Sequence, residues 1–98
     1  MSKFMNIVKY RVQSDYLDDY IQEMKEPSSF EGLISMKYIQ TGNNNFFVIG
    51  EWESKEALDN ALPLLVKTLL DPTRHMLEEL SPELGVTDPT SGEIIHEQ

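Results

Sequence analysis

The chain has 98 residues, 40% of them hydrophobic, and no cysteine, which predicts one domain and excludes disulfides, thiolate metal sites and cysteine nucleophiles. Seventeen acidic residues against eight basic ones give a formal net charge of −9, which repels phosphate backbones and anionic headgroups, so nucleic acid and membranes are not expected as partners. No apolar run has the length of a signal segment or a membrane span, so a soluble, cytoplasmic protein is expected.

The first half of the chain predicts a strand, a helix and a hairpin. Alternating apolar side chains indicate a strand over residues 4–13. Helical spacing then predicts a helix over residues 15–25, with Pro27 closing it. Two strand-like runs, residues 33–40 and 46–53, flank a turn rich in Asn and Gly and therefore predict a hairpin.

The second half predicts a broken helical region. Ser54 is expected to cap a helix that Pro63 interrupts or kinks, while the apolar stripe continues beyond the proline. A further helical piece opens with Asp71 as its cap and Pro72 at its first position, and ends near Leu80.

A short strand is predicted at the carboxy terminus, over residues 93–98, after the turn-rich stretch GVTDPTSG. The element order is then βαββαβ. This order predicts a ferredoxin-like α+β fold, in which an antiparallel four-stranded sheet carries both helices on one face. The whole chain, residues 1–98, is expected to form this one domain.

The third predicted strand does not alternate, because Phe46, Phe47, Val48 and Ile49 are all apolar. A sheet with helices on one face and water on the other alternates apolar and polar residues. Exposing both rows would forgo ~1.5–3 kcal/mol of burial for each large side chain. The sequence therefore predicts a homodimer in which a second copy covers the other sheet face. The alternative is that the carboxy terminus of the same chain shields that face.

The stretch GEWESKEAL, preceded by FFVI and followed by a broken leucine-rich helix, resembles the antibiotic-biosynthesis monooxygenase domain family. FEGLISMKYIQ, with its glycine before the second strand, adds to the resemblance. The resemblance implies a dimeric α+β barrel of ferredoxin-like subunits. Some members of the family oxidise aromatic polyketides with dioxygen and no cofactor, and others degrade haem.

The haem-degrading branch of this family uses an asparagine on the first strand, a tryptophan within the second helix and a histidine further along. Here Val8 stands at the asparagine position and Ala61 at the tryptophan position, while His75 has the right general location. Only one of the three parts is therefore matched, so haem is not expected, and neither is any other cofactor.

Five residues are candidates for a site. Trp52 either packs over the junction of sheet and helix or walls a pocket against a flat substrate. Tyr10 and Tyr38 lie on strands and are candidates to hydrogen-bond a phenol or carbonyl, and Asn6 shares a side of its strand with Tyr10. His75 is the candidate general base, because imidazole exchanges protons near neutral pH; its alternative is a solvated side chain.

These features predict a cofactor-independent monooxygenase that oxidises a small phenol or hydroquinone with dioxygen, with His75 as base. Two histidines and no cysteine argue against a metal site, and no glycine-rich phosphate motif is present. The alternative is a non-catalytic, small-ligand-binding or stress-related dimer, and haem degradation is a third possibility.

Overall fold

The computed structural model describes residues 3–26 and 28–98, so Met1, Ser2 and Pro27, including the predicted helix-ending role of Pro27, lie outside the described residues. The predicted ferredoxin-like fold is confirmed, with an antiparallel sheet in the order β2-β3-β1-β4. The strands are β1 (Phe4–Arg11), β2 (Leu33–Gln40), β3 (Asn45–Trp52) and β4 (Asp88–Glu93), and the α-helices are α1 (Leu17–Met24) and α2 (Lys55–Leu65).

The register of the two central strands decides which side chains face the helices. β1 pairs with β3 along its whole length, from Phe4 opposite Trp52 to Tyr10 opposite Phe46. Because side chains alternate between faces, the even-numbered residues of both strands share one face. Tyr10 and Phe46 are buried against Tyr20 of α1, so this shared face is the one the helices cover.

The buried core is divided into two clusters at opposite ends of the covered face. One cluster contains Tyr10, Val12, Tyr20, Phe46 and Leu77. The other contains Trp52, Leu58 and Ala61. The middle of the sheet, between these clusters, carries the small pair Val8 and Val48 and the residue Gly50.

The helical region after β3 is continuous, although its hydrogen-bond pattern changes along its length. Ser54 caps α2 as predicted, since its hydroxyl oxygen accepts from the Ala57 amide at 3.1 Å. Pro63 stays within α2, which runs into a π turn (Val66–Leu70) and then a 3₁₀ helix (Asp71–Met76).

Two details of this region correct the sequence prediction. Asp71 does not cap the third piece, because the residue before it already has helical angles; its carboxylate instead accepts from Arg74 at 3.1 Å. The piece ends at Met76 rather than near Leu80, because Leu77 is extended and forms a β-bridge with Val12 that buries both side chains.

The fourth strand lies earlier than predicted. It is formed by Asp88–Glu93, which lies almost wholly in the turn-rich stretch and shares only Glu93 with the predicted residues 93–98. Its register against β1 places Glu93 opposite Phe4, where β1 begins, and one further backbone hydrogen bond joins the Ile94 N–H to the Lys3 oxygen at 3.0 Å. β4 is an edge strand, and an edge tolerates Pro89 because a missing N–H can face away from the sheet. The following residue Ile95 is 90% exposed.

The uncovered face of the sheet carries apolar side chains in its centre. Met5, Ile7, Phe47 and Ile49 are half-buried and Ile39 is exposed; Ile7 lies opposite Ile49, and Phe47 opposite Ile39. In the described part of the chain no helix has the length and hydropathy needed to cross a bilayer.

Gly32→Ala is expected to destabilise the fold more than Gly85→Ala. Both glycines have positive φ, 83° and 73°, so alanine is strained by about 1–2 kcal/mol at either position. At Gly32 a Cβ would also lie 2.5 Å from the Ala57 Cβ, whereas nothing lies within 4 Å at Gly85. Denaturant unfolding should therefore show a larger loss for Gly32→Ala, and equal losses would contradict a close contact between the sheet end and α2.

Candidate functional site

A cavity of about 640 Å³ lies between the sheet and the helices, in the gap between the two core clusters. Its floor is the middle of the covered face, where Val8 and Val48 form a cross-strand pair flanked by Asn6 on β1 and by Met36 and Tyr38 on β2. The cavity is within the size range of small-molecule sites, and its lining is mostly apolar.

The roof of the cavity is formed by helix ends and by the π turn. Four of the five π-turn residues line the cavity: Val66, Thr68, Leu69 and Leu70. A π turn is uncommon and often lies at a functional site. The π turn beside the cavity is therefore a second indication, after the size and apolar lining of the cavity, that this region is a ligand site.

A hydrogen bond between two predicted site residues orients the polar group on the floor. The Trp52 indole N–H donates to the Asn6 side-chain oxygen at 2.7 Å. Because an indole nitrogen is only a donor, the atom that accepts is the amide oxygen, and the Asn6 NH₂ remains for a ligand. Within the described residues that NH₂ has no hydrogen-bond partner, and Asn6 lines the cavity.

Gly50 makes room for this hydrogen bond. It lies beside Asn6 in the sheet register, and a Cβ on it would overlap the Asn6 oxygen and lie 2.8 Å from Trp52 Nε1. Trp52 is fully buried against Phe30, Leu58 and the other residues of its cluster. The amide of Asn6 is thus held by a side chain that cannot move without disturbing the core.

The tyrosines at the other end of the cavity are neutral hydrogen-bonding groups. The Tyr20 hydroxyl donates to the Tyr10 hydroxyl at 2.5 Å, and both tyrosines line the cavity. Burial raises the pKa of Tyr20 to about 12, although the bond to Tyr10 lowers it in part. Burial, and the neighbouring Tyr20, raise the pKa of Tyr10 further, and burial also raises that of Tyr38.

The structure brings four of the five predicted site residues together and leaves one outside. Asn6, Tyr10 and Tyr38 line the cavity. Trp52 does not form part of the described lining: it is fully buried, as in its packing alternative, and contacts the lining through its hydrogen bond to Asn6. His75, the predicted base, is exposed and packs edge-on against Tyr16 at 5.4 Å between ring centroids, outside the described lining.

Two functional features were missed in the sequence. Gly50 was visible as a glycine inside a strand, which often marks a close approach of other groups. Tyr20 is not among the five candidates, because helical spacing shows that it faces the core but not that it reaches a strand hydroxyl.

Among residues 3–26 and 28–98, no three His, Asp or Glu side chains are grouped as metal ligands. Ala61 is buried against Trp52, and Val8 is on the floor. Neither position therefore offers the polar or aromatic side chain that the haem-degrading pattern requires.

The comparison with known protein families shows where this chain belongs. A model of the antibiotic biosynthesis monooxygenases matches residues 3–62, which include the first three strands and the first part of α2. The chain belongs to this family. No curated protein is similar enough to the chain to count as a match.

Solved structures agree with this fold at low sequence identity. A Chloroflexus aurantiacus protein provisionally assigned to the same family has 19% identity and a TM-score of 0.75, with 99% of this chain and 97% of that chain covered. A monooxygenase from the gene ActVA-Orf6 of Streptomyces coelicolor, solved with nanaomycin D, has 11% identity and a TM-score of 0.72 over 99% and 91% of the two chains. SnoaB of Streptomyces nogalater, a cofactor-independent oxygenase, has 12% identity and a TM-score of 0.64 over 99% and 97%.

Gly50→Ala is expected to break the hydrogen bond between Trp52 and Asn6. The new methyl group occupies the space of that bond, so the free energy of unfolding should fall by about 1–3 kcal/mol, the cost of an unpaired buried polar group. The emission of Trp52, the one tryptophan of the chain, should shift as its N–H loses its partner. Gly92→Ala is the control, since nothing lies within 4 Å of that position; a similar result for both variants would contradict the role of Gly50.

Above pH 10 the tyrosine pair is expected to make stability fall with pH. The folded-state pKa values of Tyr10 and Tyr20 lie above the usual value of 10.0, so the folded state keeps protons that the unfolded chain loses. Their contribution is complete below pH 10 and is lost as the pH rises toward 12 and beyond. In Tyr10→Phe/Tyr20→Phe the decline in unfolding free energy above pH 10 should be shallower, by up to ~1.4 kcal/mol per pH unit for each tyrosine. Between pH 7 and 9 the two proteins should change in parallel; equal slopes above pH 10 would contradict the burial of the pair.

Proposed function

We propose that the protein is a monooxygenase that oxidises a small, electron-rich aromatic molecule with dioxygen in the cavity between sheet and helices. The observation that carries this proposal is the Asn6 side chain, which lines a mostly apolar cavity while Trp52 holds its oxygen, so that its NH₂ is left as a donor. A hydrogen-bond donor in a water-poor site stabilises negative charge far more than it does in water. Family membership supports the same reaction class.

The proposed reaction needs no reductant besides the substrate. A bound phenol or hydroquinone loses a proton to water, and the resulting anion passes one electron to dioxygen. The two radicals then combine to a peroxide on a ring carbon that bears a hydrogen. The peroxide takes up a proton, and loss of water together with that hydrogen leaves a carbonyl there. One oxygen atom enters the product and the other leaves as water, while the substrate gives up all four electrons that dioxygen takes.

The residues of the cavity have separate parts in this reaction. Asn6 donates to the substrate oxygen and so stabilises the anion that reacts. Tyr38 keeps its proton, since burial raises its pKa, and it donates to the developing peroxide. Tyr10 closes the apolar end of the cavity together with Tyr20. His75 has no part, because its ring lies on the outer surface against Tyr16.

Non-catalytic binding of a small aromatic ligand is the second candidate, and one observation favours it. Apart from tyrosines, the ionisable side chains of the described lining are Glu23 and Glu26, both exposed. The described lining therefore places no strong base next to the floor. A protein of this kind would bind the same molecules in the same cavity without oxygen consumption.

Asn6→Asp separates the two candidates. The carboxylate still accepts from Trp52 but replaces the free NH₂ by an acceptor, so the fold should persist while oxygen uptake falls by about 10²–10³, as for loss of one oxyanion donor. The measurement uses an oxygen electrode with a panel of hydroquinones and anthrones. Asn60→Asp, the same change at an exposed position of α2, is the control and should keep the wild-type rate. Uptake by Asn6→Asp at the wild-type rate would contradict the mechanism, and ligand binding without uptake by the wild type would identify the non-catalytic protein.

A homodimer is the assembly that we propose for this chain. The half-buried row of Met5, Ile7, Phe47 and Ile49 on the uncovered face supports it, because burying such side chains contributes ~25 cal/mol for each Å² removed from water. A structurally similar protein from an uncultured marine organism, with 17% identity and a TM-score of 0.73, is described as a dimeric ferredoxin-like protein.

Ile49→Glu is expected to convert the dimer into a monomer. A charge at the centre of the uncovered face would be buried without a partner in the dimer, so sedimentation should give the mass of one 11.3 kDa chain instead of twice that value. Leu84→Glu, at an exposed leucine in a turn outside the sheet, should remain dimeric. A wild-type chain that sediments as a monomer at micromolar concentration would overturn the proposed assembly.

A further inference from the structure

The charges around the cavity all have the same sign. Glu23 and Glu26 lie on its lining at the end of α1 and just beyond it, and both are exposed. Of the described residues, no Lys, Arg or His lines the cavity, although the chain contains eight Lys and Arg and two His. The ion pairs of residues 3–26 and 28–98 do not include either glutamate. The rim of the cavity is therefore negative. The net charge of the whole chain, −9 with these two glutamates included, has the same sign.

The hydrogen-bonding groups at the centre of the sheet differ from those of the helical region. On the sheet side the Asn6 NH₂ and the Tyr38 hydroxyl are available as donors. On the helix side the hydroxyl protons of Thr68 and Thr73 are already donated to the backbone oxygens of residues 64 and 69, at 2.7 and 2.8 Å. Only their oxygen lone pairs remain, so these two threonines present acceptors. The hydroxyls of Ser28, Ser29 and Thr87 line other parts of the cavity.

We propose that the cavity selects aromatic substrates that are neutral or cationic over those that carry a carboxylate or sulfonate. The substrate places its electron-rich oxygen against the donors of the floor, and its hydroxyl, amide or ammonium substituent against the threonine oxygens and the two glutamates. This inference rests on the proposed function only in taking the cavity as the substrate site. An anionic substituent placed there would meet the threonine acceptors and the two glutamates, and the described lining offers it no Lys, Arg or His.

Three probes with one ring system test this selectivity by binding alone. Hydroxyanthraquinones that carry a carboxylate, a carboxamide or an aminomethyl group at the same ring position differ chiefly in charge. Their dissociation constants are measured by calorimetry, with quenching of the Trp52 emission as evidence that they bind beside Asn6. The carboxylate should bind roughly tenfold more weakly than the amide, and the ammonium compound more tightly, with both differences shrinking in high salt.

A pair of double variants assigns the selectivity to the rim. Glu23→Gln/Glu26→Gln should bring the three dissociation constants together, while the amide probe binds as it does to the wild type. Glu79→Gln/Glu83→Gln removes the same net charge at two exposed residues outside the described lining and should leave the wild-type ranking in place.

The outcomes distinguish this inference from the proposed function. Equal or tighter binding of the carboxylate probe, failure of all three probes to bind, or an unchanged ranking in Glu23→Gln/Glu26→Gln would overturn it, even if hydroquinones are oxidised. The expected ranking without any oxygen uptake would support the charge selectivity and remove the monooxygenase proposal.

Discussion

One hydrogen bond, from the Trp52 indole to the Asn6 amide, determines what the covered face of the sheet can do. It passes over Gly50, where any side chain would occupy its space, and its donor belongs to a fully buried residue. An amide that could rotate freely would present either its oxygen or its nitrogen to a ligand. Because the indole fixes the oxygen, the NH₂ is the part of the Asn6 amide that stays available, and this contribution to the polarity of the cavity follows from the core.

The cavity exists because the two ends of the sheet are filled and its middle is not. Large aromatic side chains occupy the ends, with Tyr10, Tyr20 and Phe46 in one cluster and Trp52 in the other. Between them Val8, Val48 and Gly50 contribute little volume, and the helices rest on the end clusters. A better-filled middle would gain burial of ~25 cal/mol for each Å². The fold gives up that gain, which is common where a protein keeps a binding site.

Local patterns in the sequence were sufficient for most of the fold. The hairpin and the cap at Ser54 follow from turn chemistry and alternation, so β2 was predicted with its observed ends. The prediction for β4 lies too late in the chain because the strand sequence, DPTSGE, has only one β-former, Thr90, and forms a strand through pairing with β1. For the site, the alternation of side chains along β1 is enough to place Asn6 and Tyr10 on the same face of the sheet. Only the register with β3 shows that Trp52 and Gly50 lie on that face as well. The outward position of His75 depends on the rotation of the 3₁₀ helix about its axis. The π turn that precedes this helix changes the number of residues per turn, and it has no sequence signature.

The contrast between floor and roof has a consequence for how this scaffold can diverge. Each floor residue on β1 and β3 is fixed by hydrogen-bonded neighbours on both sides, whereas the roof is made of short helical segments whose bonding pattern already changes twice between Leu65 and Met76. An insertion or deletion in the roof would change the size of the cavity without disturbing strand pairing. Homologous proteins can therefore diverge in ligand specificity while they retain the same sheet.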